Sequence, residues 1–173
     1  MSSFKIKIIY YSSGFVGNSI PIERYFGKGF SSNYQINIGV NVYVKEIEYN
    51  NKDIATLSFW DINEQEKFKF FRKSLIKGAG GAILEFDLTQ INTFEEVKAI
   101  LNQARKITLR KVPFILIGNA GSGRSAIDRE EIQSFVEKEG GIYIESSYKT
   151  EEKLNDALAD LTREIIDTIV LNN

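Results

Sequence analysis

The stretch KIKIIYYSSGFVGNS, residues 5–19, decides how the rest of the chain is read. Its first half is an apolar run with strand character centred on residues 7–11, and residues 19–29 carry a helical pattern. Between them, Ser12 to Ser19 forms a turn with glycines at 14 and 17. Strand, glycine-bearing turn and helix in that order outline a phosphate-binding loop, in which backbone N–H groups and a helix N-terminus face an anion. Such a loop carries a lysine before its final hydroxyl residue, and here that position is Asn18. The same outline also fits an ordinary strand-to-helix turn.

Downstream, short β-rich runs alternate with longer helical patterns. NIGVNVYVKEIEY and ATLSFWD flank the turn signal NNKD and predict an antiparallel hairpin. EKFKFFRKSLIKGA is an irregular helical candidate. GAILEFDL predicts an apolar strand, and TFEEVKAILNQARKI an amphipathic helix with Phe94, Val97, Ile100, Leu101 and Ala104 on one face. PFILIG reads as a buried strand. DREEIQSFVEKEG predicts a helix capped by Asp128, with Glu131 as capping-box partner and Gly140 near its end. GIYIESS is a strand, and EEKLNDALADLTREIIDTIV a closing helix. The alternation predicts a single α/β domain over residues 1–173, with a mostly parallel sheet, helices on both faces and one antiparallel edge strand from the hairpin. Ligands in such sheets sit outside the carboxyl ends of the strands. The places to search are therefore SSGFVGNS, FWDINEQEKF, LEFDLT, IGNAGSGRS and IESSYKT.

Composition narrows the chemistry. The chain is 43% hydrophobic and 26% charged, ordinary for a globular protein, with a formal net charge of −1. That balance gives no overall basic footprint, so no nucleic-acid partner is expected. There is no cysteine and no histidine, which removes disulfides, thiol catalysis, sulfur-ligated zinc and the usual neutral-pH general base. No apolar run reaches the ~18–20 residues of a membrane span. The N-terminus lacks a signal-peptide pattern, and the chain closes on LNN with no lipidation signal. A cytoplasmic protein without a direct lipid anchor, membrane-associated if at all through partners, is the expectation.

Taken in order, the five strand ends resemble a Ras-superfamily small GTPase, closest to the Rab branch. FWDINEQEKF lines up with WDTAGQERF, NIGVNVYVKEI with TIGVEF, and LIKGAGGAILEFDLT with YRGAxGxxxVYDxT. VPFILIGN lines up with VPxxLVGN and IESSYKT with ETSAKT, so the likeness runs from about residue 4 to residue 168. It implies a P-loop GTPase-type three-layer fold, with a six-stranded mostly parallel sheet, one antiparallel edge strand and about five helices. By the same resemblance, GTP or GDP would contact Gly14, Gly17, Asn18, Ser19, Asn119, Ser122, Ser147 and Lys149. Mg²⁺ would meet Ser19, Asn37 and Asp61, and Gln65 would position the attacking water. Protein effectors or regulators would dock on the switch and interswitch face, through Ile38, Val40, Trp60 and Phe68.

Several of these positions depart from the family pattern. The first loop glycine is Ser12, a further small position is Phe15 and the lysine is Asn18. Asn18 carries no charge against a triphosphate of roughly −4, and one lost charge-assisted hydrogen bond costs ~1.5–3 kcal/mol. Asn37 stands for the threonine that senses the γ-phosphate, and Glu64 for the glycine whose N–H meets it. In the NKxD element, Asn119 is kept, Ala120 replaces the lysine and Ser122 the aspartate that accepts both guanine N–H groups. Tyr148 replaces a small residue beside the base, so Phe15 and Tyr148 are candidates to fill the emptied pocket.

GNAGSGRS, residues 118–125, also fits a phosphate-loop spacing with Arg124 for lysine. The helix cap at Asp128 falls too late for that loop, so a flexible connection is expected there, with an anion site held by Arg124 and the Gly/Ser amides as the alternative.

Three functions follow. One is a pseudo-GTPase acting as a regulatory or scaffold module in vesicle-trafficking-type signalling, with the hairpin, Trp60 and EKFKFFRK as its interaction face. Phe68, Phe70 and Phe71 are then anchors or core, and Lys67, Lys69, Arg72 and Lys73 read as a solvated face. The second is a divergent GTPase with Mg²⁺, using Ser19, Asp61 and Gln65. The third is a non-catalytic G-domain subunit of a larger assembly.

Overall fold

A computed structural model describes residues 4–13, 34–35, 41–50, 52–62, 70–120, 123–146 and 150–171. The strands are β1 (Phe4–Ser12), β2 (Tyr34–Gln35), β3 (Asn41–Asn50), β4 (Asp53–Asp61), β5 (Gly81–Asp87), β6 (Phe114–Asn119) and β7 (Gly141–Glu145). Among the described residues the helices are α1 (Arg72–Ile76), α2 (Ile91–Thr108), α3 (Arg129–Glu139) and α4 (Thr150–Leu171). The helix expected at residues 19–29 lies outside the described residues.

The strands form one sheet in the order β2-β3-β4-β1-β5-β6-β7. β4, β1, β5, β6 and β7 run parallel, and β3 joins β4 antiparallel through the hairpin, with Lys52 at positive φ in the turn. The two-residue β2 adds a short antiparallel pairing to β3 beyond the expected hairpin. β5 and β6, GAILEFD and FILIGN, are buried at every position, as strands covered on both faces must be.

Two cores lie on opposite faces. On one, Phe86, Leu88 and Phe114 pack with Leu75 and Ile76 of α1, Phe94, Val97 and Leu101 of α2, and Ile132 and Val136 of α3. The expected α2 stripe, Phe94 through Ala104, is the buried one. On the other, Ile8, Leu57, Phe59, Ile83 and Ile115 meet Leu154, Leu158, Leu161 and Ile165 of α4. Each fully buried side chain of this kind contributes about 1.5–3 kcal/mol.

Helix ends follow local chemistry. Asp128 caps α3 by accepting from the Glu130 N–H at 2.9 Å, a neighbour of the expected partner Glu131, and Gly140 ends it at φ +73°. α1 is short because Gly78, at φ +80°, and the extended Lys77 stop it after five residues.

Candidate functional site at the carboxyl ends of the strands

Side chains alternate along each strand, so Tyr10, Asp61, Glu85 and Asn119 project from the α4 face near the strand ends. Backbone bonds continue the ladder past those ends. Ser13 N–H donates to the Glu85 carbonyl at 2.8 Å, and Ile62 N–H to the Tyr10 carbonyl at 2.9 Å. Leu88 N–H reaches the Asn119 carbonyl and Ser146 N–H the Gly118 carbonyl, each at 2.8 Å. Ser13, just past the end of β1, is therefore held against the Glu85 backbone.

Glu85 is 3% exposed in the middle of the sheet. The Tyr10 hydroxyl donates to its Oε2 at 2.7 Å, and the Asn119 amide to its Oε1 at 3.5 Å. Burial pushes the Glu85 carboxyl above the usual range, while its two donors pull it back. Tyr10 is pushed up by burial and then by the Glu85 carboxylate, with Asp61 adding to it. Asn119 is itself 3% exposed. Ser13, 1% exposed, donates its hydroxyl to Glu96 of α2.

Neighbouring ends are held by their own bonds. Asp87 Oδ1 accepts from Thr89 N–H at 2.8 Å and Thr89 Oγ1 at 2.7 Å, and Oδ2 from Gln90 at 2.8 Å. Burial opposes the charge, yet these donors hold Asp87 below the usual carboxylate range. At β7, the Arg129 guanidinium grips Glu145 at 2.7 and 3.1 Å and lowers its carboxyl. Past β6, Gly123 N–H closes a turn on the Ala120 carbonyl at 3.0 Å, Arg124 is exposed, and α3 begins only at Arg129. The GNAGSGRS loop thus lacks the immediate helix start that a phosphate loop requires.

Of the residues expected at the site, Asp61 and Asn119 are described, at the ends of β4 and β6 with β1 and β5 between them. Asp61 is half-buried and its backbone pairs with Tyr10. Gly14, Gly17, Asn18, Ser19, Asn37, Gln65, Ser122, Ser147 and Lys149 lie outside the described residues, as do Phe15 and Tyr148. So do Ile38, Val40 and Phe68 of the partner face. Trp60 is half-buried, with its indole N–H on Ser58 Oγ at 3.2 Å and Lys7 Nζ 4.0 Å from its ring centre. Phe70 and Phe71 are no part of the core, at 93% and 47% exposed. Among the described residues no three acidic side chains converge as a metal site.

Glu85 and Tyr10 escaped the sequence reading. Their signal was a lone carboxylate in an apolar run, where VYDxT sets Glu85 opposite a valine.

The sheet order β2-β3-β4-β1-β5-β6-β7, with helices packed on both faces, is that of a P-loop GTPase-type fold. The sequence matches the Ras family over residues 7–167, and the chain belongs to that family of small GTPase-type proteins.

Proposed function

We propose that this Ras-family domain is Rab-like and works as a pseudo-GTPase. On this reading it is a regulatory or scaffold module in vesicle-trafficking-type signalling that binds protein effectors or regulators and has lost tight GTP binding and hydrolysis. The observation that carries the reading is the Asn119–Glu85 contact. The one NKxD residue that remains faces a buried carboxyl in the sheet. At the carboxyl end of the sheet, that carboxyl would oppose a nearby phosphate when ionised and supplies no positive charge when neutral.

The substitutions at Asn18, Glu64 and Ser122 act in the same direction. An absent lysine alone weakens binding by about one to two decades. Mg²⁺, if bound, would meet Asp61, with Ser19 and Asn37 as neutral partners. The set is incomplete without a bound triphosphate, because Mg²⁺ sites of this kind draw most of their ligands from phosphate oxygens and water. The half-buried Trp60 and the β3–β4 hairpin provide a rigid surface for a partner.

The second reading, a divergent Mg²⁺-dependent GTPase, draws on Asp61, which keeps its place at the end of β4. Titration of nucleotide-stripped protein with labelled GTP, GDP and ATP, with and without Mg²⁺, separates the two. No binding up to millimolar concentration is expected. Mg²⁺-dependent micromolar binding selects the enzyme, and loss of hydrolysis in Gln65→Leu then identifies the reaction.

A further inference from the structure

α1 carries one sign of charge beside two exposed aromatic rings, Phe70 and Phe71. No acidic residue occurs between Glu66 and Glu85. Within that span Phe70, Lys73, Ser74 and Lys77 recur at the three- and four-residue spacing of a single helical face, and all four are exposed. The opposite face buries Leu75 and Ile76 against the core, which fixes the orientation of the stripe. Among the described residues neither Lys73 nor Lys77 has a carboxylate partner. Two more cations are tied to its lower end. Lys7 Nζ donates to the Lys77 carbonyl at 3.0 Å, and Arg110 donates to the Ala79 carbonyl at 2.6 Å. The acidic residues Glu46 and Glu48 belong to β3, which β4 separates from the strand carrying Lys7.

We infer that this stripe is a docking surface for an anionic phospholipid bilayer. The cations would lie at the headgroups, and Phe70 and Phe71 would enter the acyl boundary. Charge alone does not distinguish a membrane from an acidic protein, but the residue types do. Protein interfaces are depleted in lysine and enriched in arginine, whereas a diffuse anionic surface attracts lysine as a point charge. Lys73 and Lys77 outnumber Arg72 on the segment, and Arg72 is half-buried, 5.8 Å from the Tyr11 ring. A phenylalanine 93% exposed next to such lysines matches the aromatic–basic pattern of interfacial segments. The helix is far too short to insert; the surface lies on the membrane and does not cross it.

The test is co-sedimentation of the whole chain with phosphatidylcholine vesicles, with and without added phosphatidylserine. Binding is expected only with phosphatidylserine and is expected to fall as salt rises. Each neutralised cation weakens partition about fivefold, so Lys73→Gln/Lys77→Gln loses roughly 25-fold. Phe70→Ser loses about tenfold or more from the apolar side. Lys138→Gln/Lys153→Gln, on α3 and α4, leaves binding unchanged. All of these positions are exposed, and matching circular dichroism melts verify that the variants fold. Equal loss in the α3/α4 control, or no binding to phosphatidylserine vesicles at low salt, overturns the proposal. Capture of polyglutamate in place of vesicles, abolished by Phe70→Ser, also overturns it and assigns the stripe to an acidic protein.

Discussion

The Tyr10 hydroxyl on β1 donates to Glu85 Oε2 on β5 at 2.7 Å, joining two adjacent strands across 75 residues of sequence. The bond lies close to the carboxyl end of β1. A buried carboxyl is tolerated there because both of its oxygens have donors, Tyr10 on one and Asn119 on the other.

Removing both partners of this pair should cost less than the sum of removing each alone. Tyr10→Phe is expected to destabilise by about 1–3 kcal/mol, since it leaves a buried oxygen with no donor. Tyr10→Phe/Glu85→Leu should cost less than the sum of its single substitutions by about 1 kcal/mol or more. Urea unfolding of the four proteins measures this, and strict additivity would count against the coupling.

Glu85 also sets a pH dependence with a definite sign. Its folded value is raised above the ordinary 4.5, so its stabilising share is full below that pH. The share is lost as pH climbs through the raised folded value. The stability of the wild type minus that of Glu85→Gln should therefore fall as pH rises from 4.5, with a slope of at most about 1.4 kcal/mol per pH unit. A difference that is flat or rises over that window contradicts a carboxyl whose folded value burial has raised.

Asp87 behaves in the opposite sense. Its folded value is lowered, so its contribution is present above its ordinary 3.8 and disappears as pH falls through the depressed value. Asp87→Ala removes the acceptor of the two half-buried Thr89 donors and of the exposed Gln90 amide, and is expected to cost about 1–2 kcal/mol at neutral pH. Thermal melts across pH check it; a loss below about 0.5 kcal/mol would show that water replaces the carboxylate.

Asn119 separates scaffold from site. If its amide serves Glu85, Asn119→Ala lowers stability by about 1–2 kcal/mol and leaves nucleotide titrations unchanged. Intact stability together with a lost nucleotide affinity would place Asn119 back at a base.

The fold was legible because its strongest signals are local. GAILEFD and FILIGN are apolar throughout, and TFEEVKAILNQARKI repeats its apolar residues at helical spacing, so burial on two faces or on one could be read directly. The α1 segment was read less well. Its helix breaks at Gly78 and Phe70 and Phe71 turn outward, which an aromatic residue type alone does not distinguish from core. The candidate site was only half legible. The departures at Asn18 and Ser122 show in sequence, because a missing charge needs no partner to be noticed. Glu85 does not, because its meaning depends on Tyr10 and Asn119, which only the parallel pairing of β1, β5 and β6 brings to it.

The most direct measurement is to extract the freshly purified, unstripped protein with acid and quantify the nucleotide released by ion-exchange chromatography. A domain with a working guanine site carries GDP or GTP out of the cell in about one-to-one ratio, because nanomolar affinity holds ligand through purification. The account predicts little or no nucleotide. Stoichiometric GDP or GTP would contradict it, and would mean that the changes at Asn18 and Ser122 are compensated by other groups.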